Sequence, residues 1–126
     1  MRIVVDAMGS DDYPVPDVAG AVLAAETWRD DRIVLVGQAD VIERELANHE
    51  TSGLSLEIVN AGQEIEMDDE PAWAAREKTE SSMHVGMGLV RDGKADAYVS
   101  AGNRGGVLAV ATLHTLKRIR GIKRPA

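Results

Sequence analysis

The sequence predicts an α/β fold, a mostly parallel sheet covered by helices on both faces in three layers. Three observations carry this expectation. Ile3-Val4-Val5 and Ile33-Val34-Leu35-Val36 are unbroken aliphatic runs, as strands buried on both faces require. Each run leads into a stretch with helical spacing of its apolar residues. Aromatic residues are few, with two Trp, two Tyr and no Phe, so the core is built from Val, Ile, Leu, Ala and Met. The 126 residues suit one α/β domain, 1–126, without internal repeat, low-complexity tract or linker.

Taken in order, Arg2–Asp6 is the first strand. A loop over Ala7–Pro16 carries Gly9, Ser10, Asp11, Asp12, Pro14 and Pro16. Val15, Val18, Ala19, Val22 and Leu23 then keep helical spacing to near Trp28. Ile33–Val36 is the second strand, closed by Gly37, and Ala39–His49 the second helix. Leu54, Leu56 and Ile58 alternate with Ser55 and Glu57, which predicts a half-exposed strand toward a sheet edge. Glu64–Glu70 holds five carboxylates in seven residues. Pro71 suits a first helical turn, and acids before it complement the helix dipole, so capping is preferred here to a metal site. A helix over Pro71–Lys78 follows. Ser81 or Ser82 caps the next, His84–Arg91, whose Met83, Met87 and Val90 share a core face, and Gly93 ends it. Asp96–Ser100 is the fourth strand, and Gly105–Arg118 the last helix.

Composition excludes several functions. A formal charge of −7 argues against a general nucleic-acid binder. The absence of cysteine excludes disulfides, thiolate metal sites and a cysteine nucleophile, and is compatible with a reducing cytoplasm. MRIVVDAMG is too short an apolar run for a signal peptide, and no run approaches the roughly 20 residues that cross a bilayer.

The chemistry points to Ala97–Gly106, AYVSAGNRGG, a strand, a tight turn and a helix start. Ser100, Gly102, Asn103, Arg104, Gly105 and Gly106 are packed into it. Glycines allow close backbone approach, and a helix N-terminus offers unpaired N–H groups and partial positive charge. Together they suit an anion such as phosphate. The alternative is an ordinary strand-to-helix turn, because the spacing matches neither the P-loop nor the dinucleotide fingerprint. In a parallel sheet the ligand crevice lies beyond the carboxyl ends of the strands. The residues leaving those ends are Asp6–Asp11, Gly37–Gln38, Asn60–Glu66 and Ser100–Gly106, so the two glycine-rich loops should share one sheet edge. Lys117, Arg118, Arg120, Lys123 and Arg124 form a basic tail, either solvated helix-end cations or a docking patch for an acidic partner.

Read together, DAMGSD at Asp6–Asp11, IEMDDEP at Ile65–Pro71, KTESSM at Lys78–Met83, DAYVSAGNRGG at Asp96–Gly106 and the final GIKRPA resemble the bacterial phosphate:acyl-carrier-protein acyltransferases of phospholipid synthesis. Two departures stand out. The first loop has Ser10, Asp11 and Asp12 where that family usually has glycine and then Asp-His. The turn has Arg104-Gly105-Gly106 where the family usually has Thr-Gly-Ala. Arg104 either strengthens phosphate binding through its guanidinium, fills the pocket or alters the substrate. Family members are more than twice as long, so the resemblance covers only their N-terminal part. It implies a Rossmann-like α/β/α fold similar to phosphate acetyltransferases and isopropylmalate dehydrogenase-like proteins, here truncated.

The resemblance implies that inorganic phosphate attacks the thioester of acyl carrier protein, giving acyl phosphate and free carrier. Positioning and oxyanion stabilisation then matter more than a side-chain nucleophile. Ser100, Gly102, Asn103, Arg104 and Gly105 are the phosphate-binding candidates. Asp6, Gly9, Asp11, Lys78, Ser81 and Ser82 are candidates to line the crevice. The basic tail would dock the carrier protein. No catalytic residue, metal or cofactor is assigned, and His49, His84 and His114 match no motif. The expected location is the cytoplasm, with a homodimer as the assembly to test and no membrane segment evident. A non-catalytic phosphate-binding module is the competing reading, and an inert fragment needing its other half is a third.

Overall fold

The computed structural model describes residues 1–121. Its elements are β1 (Arg2–Asp6), α1 (Val15–Thr27), β2 (Arg32–Gly37), α2 (Ala39–Leu46), β3 (Leu56–Asn60), α3 (Pro71–Glu77), α4 (Ser82–Arg91), β4 (Ala97–Val99) and α5 (Arg104–Gly121). The strands form one parallel sheet in the order β3-β2-β1-β4. This is the expected α/β architecture.

Alternation along the strands explains the unbroken aliphatic runs. Ile33 and Leu35 point to one face, where they pack with Val18, Ala21, Val22 and Ala25 of α1 and Ile42 of α2. Val4, Val34 and Val36 point to the other, against Val85, Leu89 and Val90 of α4. With both faces covered, neither parity is polar. β3 lies at an edge and none of its residues is fully buried, as its alternating sequence predicts. A third cluster joins Ala74 and Ala75 of α3, Met83 of α4 and Val110 of α5 with Ile65. It packs α3 and α4 against α5.

The helix boundaries follow local chemistry. Glu70 caps α3, its carboxylate accepting from the amides of Ala72 and Trp73 at 3.1 and 2.6 Å. Ser81 caps α4 by accepting the His84 N–H at 3.2 Å, which starts that helix two residues before the expected His84. Gly93, at φ +74°, ends it with its amide on Val90 O and the Lys94 amide on Leu89 O. α2 stops at Leu46 rather than His49, because the amides of Asn48 and His49 turn to carbonyls three residues back.

His84 and His114, far apart in sequence, meet in space. Both are buried, and His84 Nδ1 lies 3.0 Å from His114 Nε2. His84 Nε2 reaches the Ala75 carbonyl at 2.6 Å, and Arg91 reaches His114 Nδ1 at 3.0 Å. A carbonyl only accepts and a guanidinium only donates. The order is therefore fixed: Arg91 donates to His114, His114 to His84, and His84 to Ala75. Every ring nitrogen is used, and both rings are neutral. Burial, then the charge of Arg91, pushes His114 down to about 4, and burial lowers His84 as well. A base depressed in the folded state binds its proton first in the unfolded chain. Its stabilising contribution is thus complete above the ordinary histidine value of 6.5 and is lost as pH falls toward 4. The melting temperature is expected to decline through that window, and more shallowly in His114→Gln. Calorimetric scans of both chains check this.

Candidate functional site

The strand order reverses between β1 and β4: the chain builds outward through β2 and β3, then returns to the other side of β1. Such a switch point opens a crevice at the carboxyl ends of the two strands, where their following loops part. The loops leaving β1 and β4 do meet there. A Cβ added to Gly9 would stand 3.0 Å from the Gly102 nitrogen, 3.1 Å from Ser100 Oγ and 3.2 Å from the Ala101 nitrogen. A side chain here would have to push these atoms back by a few tenths of an ångström, so glycine suits this close approach of backbone to backbone.

Asp6 fastens the junction. It is 1% exposed, and its Oδ1 accepts the Met8 amide at 2.9 Å. Its Oδ2 accepts the hydroxyls of Ser100 at 3.0 Å and Tyr98 at 3.2 Å. Burial and the Asp6 charge drive the Tyr98 phenol far above its ordinary value, so it stays a donor. Ser100 Oγ in turn accepts the Gly102 amide at 3.0 Å. Asp6 thus shapes the turn through Ser100, as an orienting group.

Asn103 has a different place from the one its sequence suggests. Its Oδ1 accepts the Gly106 amide at 3.0 Å, making it the N-cap of α5. Its Nδ2 donates to the carbonyls of Glu66, Asp69 and Met67 at 3.1, 3.0 and 3.4 Å. The side chain is fully committed to holding the 64–70 loop against the helix. The amides of Arg104 and Gly105 find no acceptor among the described residues. These two N–H groups, at the positive end of an 18-residue helix, are what the turn offers to an anion. The Arg104 side chain is exposed beside them.

Lys78, Ser81 and Ser82 are bonded or buried within the scaffold, and Asp11 is exposed beside it. Lys78 Nζ bonds Asp69 at 2.6 Å and the Glu64 carbonyl at 3.0 Å, and this contact lowers the Asp69 carboxyl. Ser81 caps α4, and Ser82 is buried behind it. Asp11 is exposed and shares a small pocket of about 150 Å³ with Gly9, Glu66 and Asp68. Lys117, Arg118 and Arg120 are exposed along the end of α5, with Arg118 donating to the Arg91 carbonyl at 2.9 Å. Lys123 and Arg124 lie outside the described residues.

Residues 1–126 match the model of a family described as fatty acid synthesis protein. The chain belongs to that family. A protein named phosphate acyltransferase from Herpetosiphon aurantiacus is 55% identical over 99% of this chain and 33% of its own length. Proteins of the same name from Koribacter versatilis and Clostridioides difficile are 48% and 45% identical, over 100% and 99% of this chain and 35% and 36% of theirs. The chain spans about a third of the length of the curated relatives it matches.

Seen from this fatty acid synthesis family, the segments that carry the resemblance are one connected scaffold. Asp6 joins the first and fourth segments, Asn103 joins the fourth to the acidic loop, and Lys78 joins that loop to the third. Sequence reasoning missed Tyr13, whose hydroxyl lies 3.0 Å from Glu66 and 3.5 Å from Glu64; Gln38, expected at the carboxyl end of β2, donates to Glu64 at 3.0 Å. Burial, helped by Glu66, pushes the Tyr13 phenol up to about 12. A lone Tyr before Pro14 gave no signal of this contact, since its partners lie some fifty residues away. No helix among the described residues is long and apolar enough to cross a membrane.

Proposed function

We propose that this chain supplies the phosphate seat of an acyl-[acyl-carrier-protein]:phosphate acyltransferase of phospholipid synthesis. The observation that carries the reading is the pair of amides at Arg104 and Gly105 that find no acceptor among the described residues, at the helix start that follows β4. The name shared by relatives that match the whole chain supports it. In this reading phosphate sits on the Arg104 and Gly105 amides with the Arg104 guanidinium as a clamp. A phosphate oxygen adds to the thioester carbonyl carbon. The carbon–sulfur bond then breaks, its electron pair leaves on sulfur, and the thiolate takes a proton from solvent. Acyl phosphate and the free carrier thiol result. Because phosphate is already nucleophilic, the protein's work is orientation and charge stabilisation. Lys117, Arg118 and Arg120 offer the acidic carrier protein a positive surface, a homodimer is the assembly to test, and the cytoplasm is the place of action.

Phosphate titrations followed at the Gly102 and Gly105 amides by NMR test the seat. Arg104→Thr is expected to weaken affinity there by about tenfold, the loss of one charge-assisted contact. Unchanged affinity would remove Arg104 from the phosphate ligands. An assay of acyl-thioester cleavage with phosphate present separates the readings further. Saturable binding without acyl phosphate would favour a non-catalytic anion-binding module.

A further inference from the structure

We propose that the groove between α4 and α5 is a second anion site, one that takes an oxyanion of the phosphate class and is separate from the glycine turn. The groove encloses about 310 Å³ and is lined by His84, Arg91, Asp92, Lys94, His114 and Lys117. It runs toward the opposite edge of the sheet, where the Asp96 amide bonds the Arg2 carbonyl at the start of β1. His114 lies roughly 15 Å along α5 from Arg104 by helical rise. The two positions therefore cannot share one phosphate.

Charge selects the ligand. The chain as a whole carries −7, yet this groove gathers three cations against one carboxylate. That carboxylate is spoken for, because Asp92 accepts from Arg91 Nε at 2.9 Å and from its terminal nitrogen at 3.2 Å. Lys94 and Lys117 form no ion pair among the described residues. Two lysine charges thus face the groove without compensation. The floor cannot supply an anion, since His84 and His114 are neutral and every ring nitrogen is occupied. The positive field is felt there: the charges of Arg91 and Lys117 add to burial in holding His114 down. A compact oxyanion meets the lysines as point charges and the unused Arg91 N–H groups as directed donors.

The two imidazoles report occupancy directly. Inorganic phosphate is titrated into the labelled 126-residue chain at pH 7.5, with ionic strength held constant by chloride. The ring resonances of His84 and His114 are expected to shift saturably while those of His49, on the other side of the sheet, stay still. In a Lys94→Ala/Lys117→Ala double variant the affinity read at these rings should fall about tenfold or more. Both lysines are exposed, so the fold is retained. Arg104→Thr should leave the His84 and His114 titration unchanged, which keeps the two sites distinguishable. Absence of a saturable shift, an equal shift with chloride alone, or undiminished affinity in the double variant would overturn the proposal.

Discussion

Asp6→Asn is expected to lower stability by roughly 2–3 kcal/mol and the melting temperature by about 10 °C. The carboxylate is buried and accepts three hydrogen bonds, from the Met8 amide and from the Tyr98 and Ser100 hydroxyls. An asparagine of the same shape has one accepting atom. Placed toward Met8, its NH2 faces two hydroxyls; flipped, it faces the Met8 N–H, donor against donor. The hydroxyls can rotate, but Ser100 Oγ already accepts the Gly102 amide. Some donor is left unmet in either orientation, and a buried unmet donor costs more than a hydrogen bond returns. Tyr98→Phe removes one donor and leaves the acceptor satisfied by the others, so it should cost only about 1 kcal/mol. The Gly102 and Gly105 amides should lose phosphate response in Asp6→Asn before the sheet melts, because Asp6 shapes their turn through Ser100. Wild-type thermal stability in Asp6→Asn would show that the junction is held by packing alone.

Much of this arrangement was legible because it is local. Aliphatic runs marked strands with both faces covered, and the alternation at Leu54–Ile58 placed β3 at an edge. The Ser81-Ser82 pair and Gly93 mark the two ends of α4, since a cap's partners lie within four residues; the structure gives the cap to Ser81. The rule that ligands gather beyond the carboxyl ends of parallel strands places the two glycine-rich loops at one sheet edge, where Gly9 and Gly102 do meet. What sequence could not show is non-local pairing. Asp6 and Ser100 are 94 residues apart, and nothing in either residue names the other. Nor does the sequence place β4 at the edge of the described sheet, with Val99 half-exposed. The acidic run illustrates a subtler limit. Its dipole reading anticipated the Glu70 cap, but the destinations of Glu64, Glu66 and Asp69, on Gln38, Tyr13 and Lys78, belong to tertiary structure.

Asn103 shows how the same limit misdirects an experiment. An asparagine between glycines at a helix start invites the test Asn103→Ala, with lost phosphate binding taken as lost contact. The geometry predicts the loss without any contact. The substitution removes the cap on Gly106, worth about 1 kcal/mol, and strands loop carbonyls at 66, 67 and 69 that are bonded to Nδ2. Roughly 2–4 kcal/mol of destabilisation is expected, with the first turn of α5 frayed and the 64–70 loop released. A frayed turn no longer presents the Arg104 and Gly105 amides in register, so affinity falls with it. Asn103→Ser separates the causes. Serine restores the cap but cannot reach the three carbonyls. Hydrogen exchange should then find the Gly106 amide protected again while the 64–70 loop still opens. Phosphate affinity at Gly105 should recover with that protection if Asn103 acts by shaping the helix start. A serine variant with a protected Gly106 amide and no phosphate response would instead put the Asn103 amide on the phosphate itself, and the backbone seat would have to be redrawn around it.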